Sequence, residues 1–153
     1  MKKMFIVLVF VVGTIGMGLY FAIKTGEKSP FYSQGQLVLD AELEPSAGDF
    51  KTLFMIIYDL DSPMPMPFGA VKFRLDKVPR KGPFFDFSIT KEKLMVMREG
   101  EIPPPKRMRI KARLDKDGVA GPDQPGDITG EVSEISFGQS GVSIVMDKLI
   151  PAY

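Results

Sequence analysis

The sequence predicts an all-β fold, an antiparallel β-sandwich of about seven strands (Ig-like), preceded by one N-terminal transmembrane helix. Three observations predict it. Residues 4–23, MFIVLVFVVGTIGMGLYFAI, are twenty consecutive uncharged residues behind Lys2 and Lys3. Beyond about residue 34, apolar residues recur at every second position, the period of a strand with one buried face. Between these runs stand clusters of Gly, Pro and Asp, with no helices alternating with the strands to suggest a parallel sheet.

A helix rises about 1.5 Å per residue, so residues 4–23 reach about 30 Å, the thickness of a bilayer's hydrocarbon core. Residues 1–3 then form a cytoplasmic tip, because basic residues stay inside. The run is longer than the core of a secretory signal, and bulky Leu19, Tyr20 and Phe21 stand where a cleavage site needs small residues. A retained anchor is therefore expected, with a cleaved signal peptide as the alternative. No cysteine is present to carry a lipid instead. Thr14 and Gly18 are spaced as a small-xxx-small pair, which suits a partner helix as well as an ordinary span. Residues 24–33, with Gly26 and Pro30, read as a tether, and 34–153 as one extracytoplasmic domain.

Within that domain, Leu37, Leu39, Ala41 and Leu43 alternate with polar residues and predict the first strand, ended by a turn at Pro45, Gly48 and Asp49. Thr52–Leu60 is rich in branched and aromatic residues and reads as a strand buried on both faces. Prolines at 63, 65 and 67 make Ser62–Gly69 an irregular loop. In Ala70–Leu75, Val71, Phe73 and Leu75 share a face, and in Phe84–Ile89, Phe85, Phe87 and Ile89 do. Thr90–Met97 holds the one plausible helical turn. In Met108–Asp115, Met108, Ile110, Ala112 and Leu114 face in, while Arg109, Lys111 and Arg113 face out. Residues 128–137 and 142–149 complete the set, joined by a turn at Gly138–Gly141.

Composition narrows the chemistry. The chain has no histidine, cysteine or tryptophan. Disulfides are impossible, the usual zinc, haem and copper ligand sets are missing, and Ser–His and Cys–His catalysis is ruled out. Ser140, in Gly138-Gln139-Ser140-Gly141, glances at a nucleophile elbow, but its second glycine comes one position early and no histidine exists to activate it. No enzyme is expected and no cofactor. Residues 33–153 carry 16 Lys and Arg against 18 Asp and Glu, so no basic field is present to hold nucleic acid.

Two Met-x-Met pairs, Met64/Met66 and Met95/Met97, admit three readings: core filling, partner contact, or copper(I) binding by thioethers. Core filling is the expectation. Pro103-Pro104-Pro105 reads as a rigid spacer. Pro125-Gly126-Asp127 suits a tight turn in which Asp127 bonds back to nearby amides, with Arg113 as a possible ion-pair partner across the turn.

Three stretches also carry a resemblance. Met64-Pro65-Met66-Pro67-Phe68-Gly69-Ala70-Val71-Lys72 runs from a Pro/Met loop into a strand. Ile89–Met97 follows. Then comes the block from Ala112-Arg113-Leu114-Asp115 through Pro122-Asp123-Gln124-Pro125-Gly126-Asp127-Ile128-Thr129-Gly130. In this order they resemble the C-terminal periplasmic domain of the cytochrome c maturation chaperone family (CcmI/CycH type), over roughly residues 35–150. Here Asp123 intervenes between Pro122 and Gln124, and Asp115 and Asp117 replace loop serines. A single span leads straight into the domain, without that family's second span and helical repeats.

The resemblance implies a membrane-anchored periplasmic accessory factor in c-type cytochrome maturation. It would bind apocytochrome or haem-ligation membrane proteins non-covalently, from the bacterial inner membrane. A single-span structural or assembly subunit of a respiratory complex is the alternative. The candidate partner-binding residues are Met64, Met66, Phe68, Arg109 and Arg113. Pro125, Gly126 and Asp127 are expected to form a structural turn.

Overall fold

Alternation of apolar and polar residues places one face of each strand inward, and two sheets result. The computed structural model describes residues 31–152. The expected tip at 1–3, the span at 4–23 and the tether up to residue 30 lie outside the described residues. Among the described residues, no helix is long and apolar enough to cross a membrane.

The strands are β1 (Phe31–Leu39), β2 (Thr52–Asp59), β3 (Gly69–Arg74), β4 (Gly82–Thr90), β5 (Met95–Val96), β6 (Arg107–Asp115), β7 (Ile128–Ser136), β8 (Gln139–Met146) and β9 (Lys148–Leu149). A three-stranded sheet runs β4-β1-β8 and a six-stranded sheet runs β5-β3-β2-β6-β7-β9. The count exceeds the seven expected because β5 and β9, of two residues each, are too short to show a period. Leu37 and Leu39 from the small sheet join Leu53, Met55, Ile57, Ile110 and Leu114 from the large one in a single buried core. Rings tie the layers together: Tyr32 lies 5.9 Å from Phe68 and Phe73 lies 5.4 Å from Phe85.

Four details depart from the sequence reading. The first strand begins at Phe31, so three residues assigned to the tether belong to the sheet. It ends at Leu39, because the Asp40 carboxylate accepts a 2.8 Å bond from the Glu42 amide and caps a short 3-10 helix, Ala41–Ala47. Ala41 and Leu43 continue the alternation in sequence but not in conformation. Thr90 closes one helical turn with the Leu94 amide at 3.1 Å, after which the chain extends into β5. Lastly, the expected antiparallel pairing does not hold throughout. The turn at Gly138 (φ +77°) carries the chain from the large sheet to the small one, where β8 pairs parallel with β1.

The registers define two poles. Where β1 begins, Phe31 pairs with Thr90 at the end of β4. The β2–β3 loop, the 91–94 turn, the start of β6 and the β7–β8 turn gather at this pole. We call it the proximal pole, since the chain enters there. The 3-10 helix and the β6–β7 loop, residues 116–127, lie at the opposite, distal pole.

Candidate functional site

The outer face of the six-stranded sheet carries an apolar strip along β2. Phe54, Ile56 and Tyr58 of β2 point outward beside Ala70 of β3. Together with Pro67, Met97 and the 120–123 segment they line a groove of about 350 Å³. A second hollow of about 360 Å³ continues it at the proximal pole, between Tyr58, Arg109, Met64 and Met66. Proline at 63, 65 and 67 denies the loop a ladder of its own and holds its methionines out of the core. Met64 is 49% exposed, Met66 42%, Met97 45% and Met95 74%. Core filling, the expected role of these four residues, is therefore overturned.

Pairing explains how two distant Met-x-Met segments reach one region. Ala70 pairs with Met95 and Gly69 with Val96, and the Met97 amide donates to the Phe68 carbonyl at 3.0 Å. The 95–97 segment thus lies beside the end of the 62–68 loop. Met97 lines the groove, Met64 and Met66 line the adjoining hollow, and Tyr58 borders both.

The basic row beside this groove is internally matched. Arg107 donates to Asp61 through Nη2 at 2.6 Å and Nε at 3.1 Å, and to Glu134 at 3.4 Å. This bond holds the Asp61 carboxyl below its usual range and raises Arg107. Arg109 stacks on the Tyr58 ring at 4.2 Å and faces Glu131 at 3.9 Å. Lys111 bonds the Asp123 carboxylate. Arg98 donates to Ser62 Oγ at 3.0 Å and lies 3.7 Å from Asp59.

Arg113 is a correction. Its position in β6 sends it outward, beside Phe54 in the register, but it is only 1% exposed. The 116–127 loop folds back over the sheet and closes it in. Its guanidinium donates to the Gly121 carbonyl at 2.6 Å and to Asp123 at 3.5 Å. It pairs with Asp115 at 3.2 Å and lies 5.1 Å from the Phe54 ring. Nε is 3.9 Å from Asp127 Oδ2 and makes no hydrogen bond. Burial raises the Asp115 carboxyl, whereas the Val119 amide holds Asp117 low.

The Pro125-Gly126-Asp127 segment closes this cage. Gly126 has φ +90°, Asp127 Oδ2 accepts from the Gln124 amide at 2.9 Å, and the Gly126 amide reaches the Ile150 carbonyl at 2.8 Å.

Phe68 must also be corrected as a contact. It is fully buried against Tyr32, with Arg98 over its ring. Of the five candidate contacts, Met64, Met66 and Arg109 share one hollow. Phe68 lies beneath the loop, and Arg113 lies at the other pole. Sequence reasoning missed Tyr58, which was absorbed into a strand buried on both faces, and the aspartates at 115 and 123 that hold Arg113. The Gly- and Pro-rich composition of 118–126 signalled a loop, but not where it folds. Among the described residues, no grouping of three or more histidine, cysteine or acidic side chains is placed to hold a metal ion.

Compared with protein-family models, with curated proteins and with solved structures, the chain matches none. The resemblance to the cytochrome c maturation chaperones thus rests on the motif residues alone.

Proposed function

We propose that the chain is a membrane-anchored, periplasmic protein-binding module acting as an accessory factor in c-type cytochrome maturation. In this reading the two sheets form an Ig-like sandwich behind a single transmembrane helix at residues 4–23, in the bacterial inner membrane. The module holds apocytochrome or haem-ligation membrane proteins non-covalently and raises their concentration near the bilayer. No step of it is catalytic.

The observation that carries the binding role is the exposure of Met64, Met66, Met95 and Met97, of which Met97 lines the apolar groove and Met64 and Met66 the adjoining hollow. Methionine is unbranched and polarizable, so such a surface adapts to varied peptide partners, and Met and Arg are enriched where interfaces are buried. The cytochrome assignment rests on the motif resemblance alone.

Deleting the gene tests it, with haem-stained c-type cytochromes as the readout and a tagged full-length copy in detergent for recovery. Lowered holo-cytochrome, together with apocytochrome or haem-ligation proteins on the tagged copy, is expected. Unchanged cytochromes with fixed-ratio recovery in a mature respiratory complex would instead establish a structural or assembly subunit.

A further inference from the structure

We propose that the open edge of β4 pairs with an extended segment of a partner protein, apolar on one face and carrying a lysine or arginine opposite Asp86 on the other. The site lies on the three-stranded sheet, whereas the methionine groove lies on the six-stranded one, and the inference does not depend on the cytochrome reading.

The edge is long and unpaired. β4 ends its sheet, with β1 on one side and no strand on the other. In an antiparallel ladder, alternate residues send both N–H and C=O away from the neighbouring strand. From Phe85 to Ile89 the register with β1 is unbroken. Among the described residues, the backbone of 84–89 makes no hydrogen bond outside that ladder. Pro83 removes a donor only at the start of the strand.

Other edges are defended. β5 and β9 close part of each side of the six-stranded sheet. The open lengths of β3 and β7 carry Lys72 and Arg74, and Glu131 and Glu134. β8 is crossed by β7, with Gly130 against the Val145 carbonyl. Short strands, charges and coverings of this kind keep an edge from pairing with another chain. β4 has one charge in nine residues.

That charge specifies the occupant. Asp86 is exposed and is the only charged residue in β1, β4 and β8. Among the described residues it makes no ion pair. Gln36 lies opposite it in β1, and Ser143 lies beyond in β8. An opposite charge facing it from an added strand is favourable, and a like charge is not. A second copy, paired about a two-fold axis through the middle of β4, would set Asp86 at or near its own counterpart. On the inner side, the half-buried rings of Phe73 and Phe85 stand 5.4 Å apart between the sheets. Apolar residues at every second position of an added strand cover them. Lys93 lies over the Phe73 ring at 5.9 Å, so the basic residue of the segment belongs on the other face, with Asp86.

The test uses the purified full-length chain in detergent and three blocked eight-residue peptides of alternating valine and threonine. One central threonine is kept, or replaced by lysine or by glutamate. In fluorescence anisotropy the lysine peptide should bind about threefold tighter than the threonine peptide and about tenfold tighter than the glutamate peptide. Asp86→Asn should bring the three together, and Asp86→Lys should reverse their order. Asp86 is exposed, so neither variant should unfold the domain, which circular dichroism checks.

Amide exchange read by NMR locates the site. In the free chain the amides of 85–89 should alternate between slow and fast exchange, and with the lysine peptide all should be slow. Methylating the peptide nitrogens at every second residue should abolish binding in one of the two phases and spare it in the other. No binding of any peptide, a charge preference unchanged by Asp86→Lys, or protection elsewhere than 85–89 would overturn the proposal. So would slow exchange throughout 85–89 in the free chain, which would assign the edge to a second copy or to residues 24–30.

Discussion

Arg113 occupies a position that strand alternation assigns to solvent, yet it is the largest fully buried side chain among the described residues. Removing one partner of a buried ion pair leaves the other charged and unpaired, at a cost of about 3–5 kcal/mol. Arg113→Met should therefore lower the stability of the domain by about that amount in urea unfolding, with Asp115 and Asp127 left without a cation. A loss below about 1 kcal/mol would mean that the 116–127 loop opens and hydrates the carboxylates. Asp115 gives a prediction of definite sign. Its carboxyl is raised in the folded state, first by burial. The folded domain then holds that proton more tightly than the unfolded chain. The stability it contributes is complete below the ordinary aspartate range and is lost as pH rises through the raised midpoint. The stability difference between wild type and Asp115→Asn should accordingly fall as pH rises across the acid range. A rising difference would show that attraction to Arg113 outweighs desolvation. Residue types were legible at this scale: Gly126 and Asp127 in a turn, and Arg113 as a possible partner of Asp127. Burial of Arg113 was not, because it depends on a loop from elsewhere folding over it.

Short elements and sheet crossings separate what alternation encodes from what contacts impose. Of the central strands, β6 was readable from nine residues of consistent alternation and β2 from an eight-residue apolar run, which left open that Phe54, Ile56 and Tyr58 face outward. The two-residue strands β5 and β9 carry no period and exist only because β3 and β7 offer them edges. The change of sheet between β7 and β8 has a steric signature. A Cβ at Gly130 would lie 2.0 Å from the Val145 carbonyl oxygen, and one at Gly35 would lie 1.8 Å from that of Val142. Both obstacles are backbone and have no rotamer to yield. Gly130→Ala and Gly35→Ala should each destabilise the domain by about 1–3 kcal/mol or more, as overpacking does. Gly48→Ala is the control. Its φ is −63° and nothing stands within 4 Å of the new methyl group. It should be neutral, or stabilising by about 0.4–1 kcal/mol. Equal effects at all three positions in thermal unfolding would mean that the β8 crossing has slack.

For the whole molecule, the sharpest expectation concerns the first thirty residues. Alkaline carbonate should leave the full chain in the membrane pellet with an N-terminus at or near Met1. A soluble product beginning near Lys24 would replace the anchor with a cleaved signal. By itself, the sequence determined the mostly β character of the domain, the inward faces of β3, β4 and β6, and the chemistry denied to it by the missing histidine and cysteine. These follow from local period and from composition, which need no knowledge of neighbours. Tertiary structure alone decided that Phe68 is core while Met64 and Met66 are surface, although all three share one loop. It likewise decided that Met95 and Met97 join them across the β3–β5 pairing, and that Arg113 is enclosed. Each outcome depends on contacts between segments distant in the chain, and the free energy of burial is set by the completed surroundings rather than by the residue's own place in the pattern.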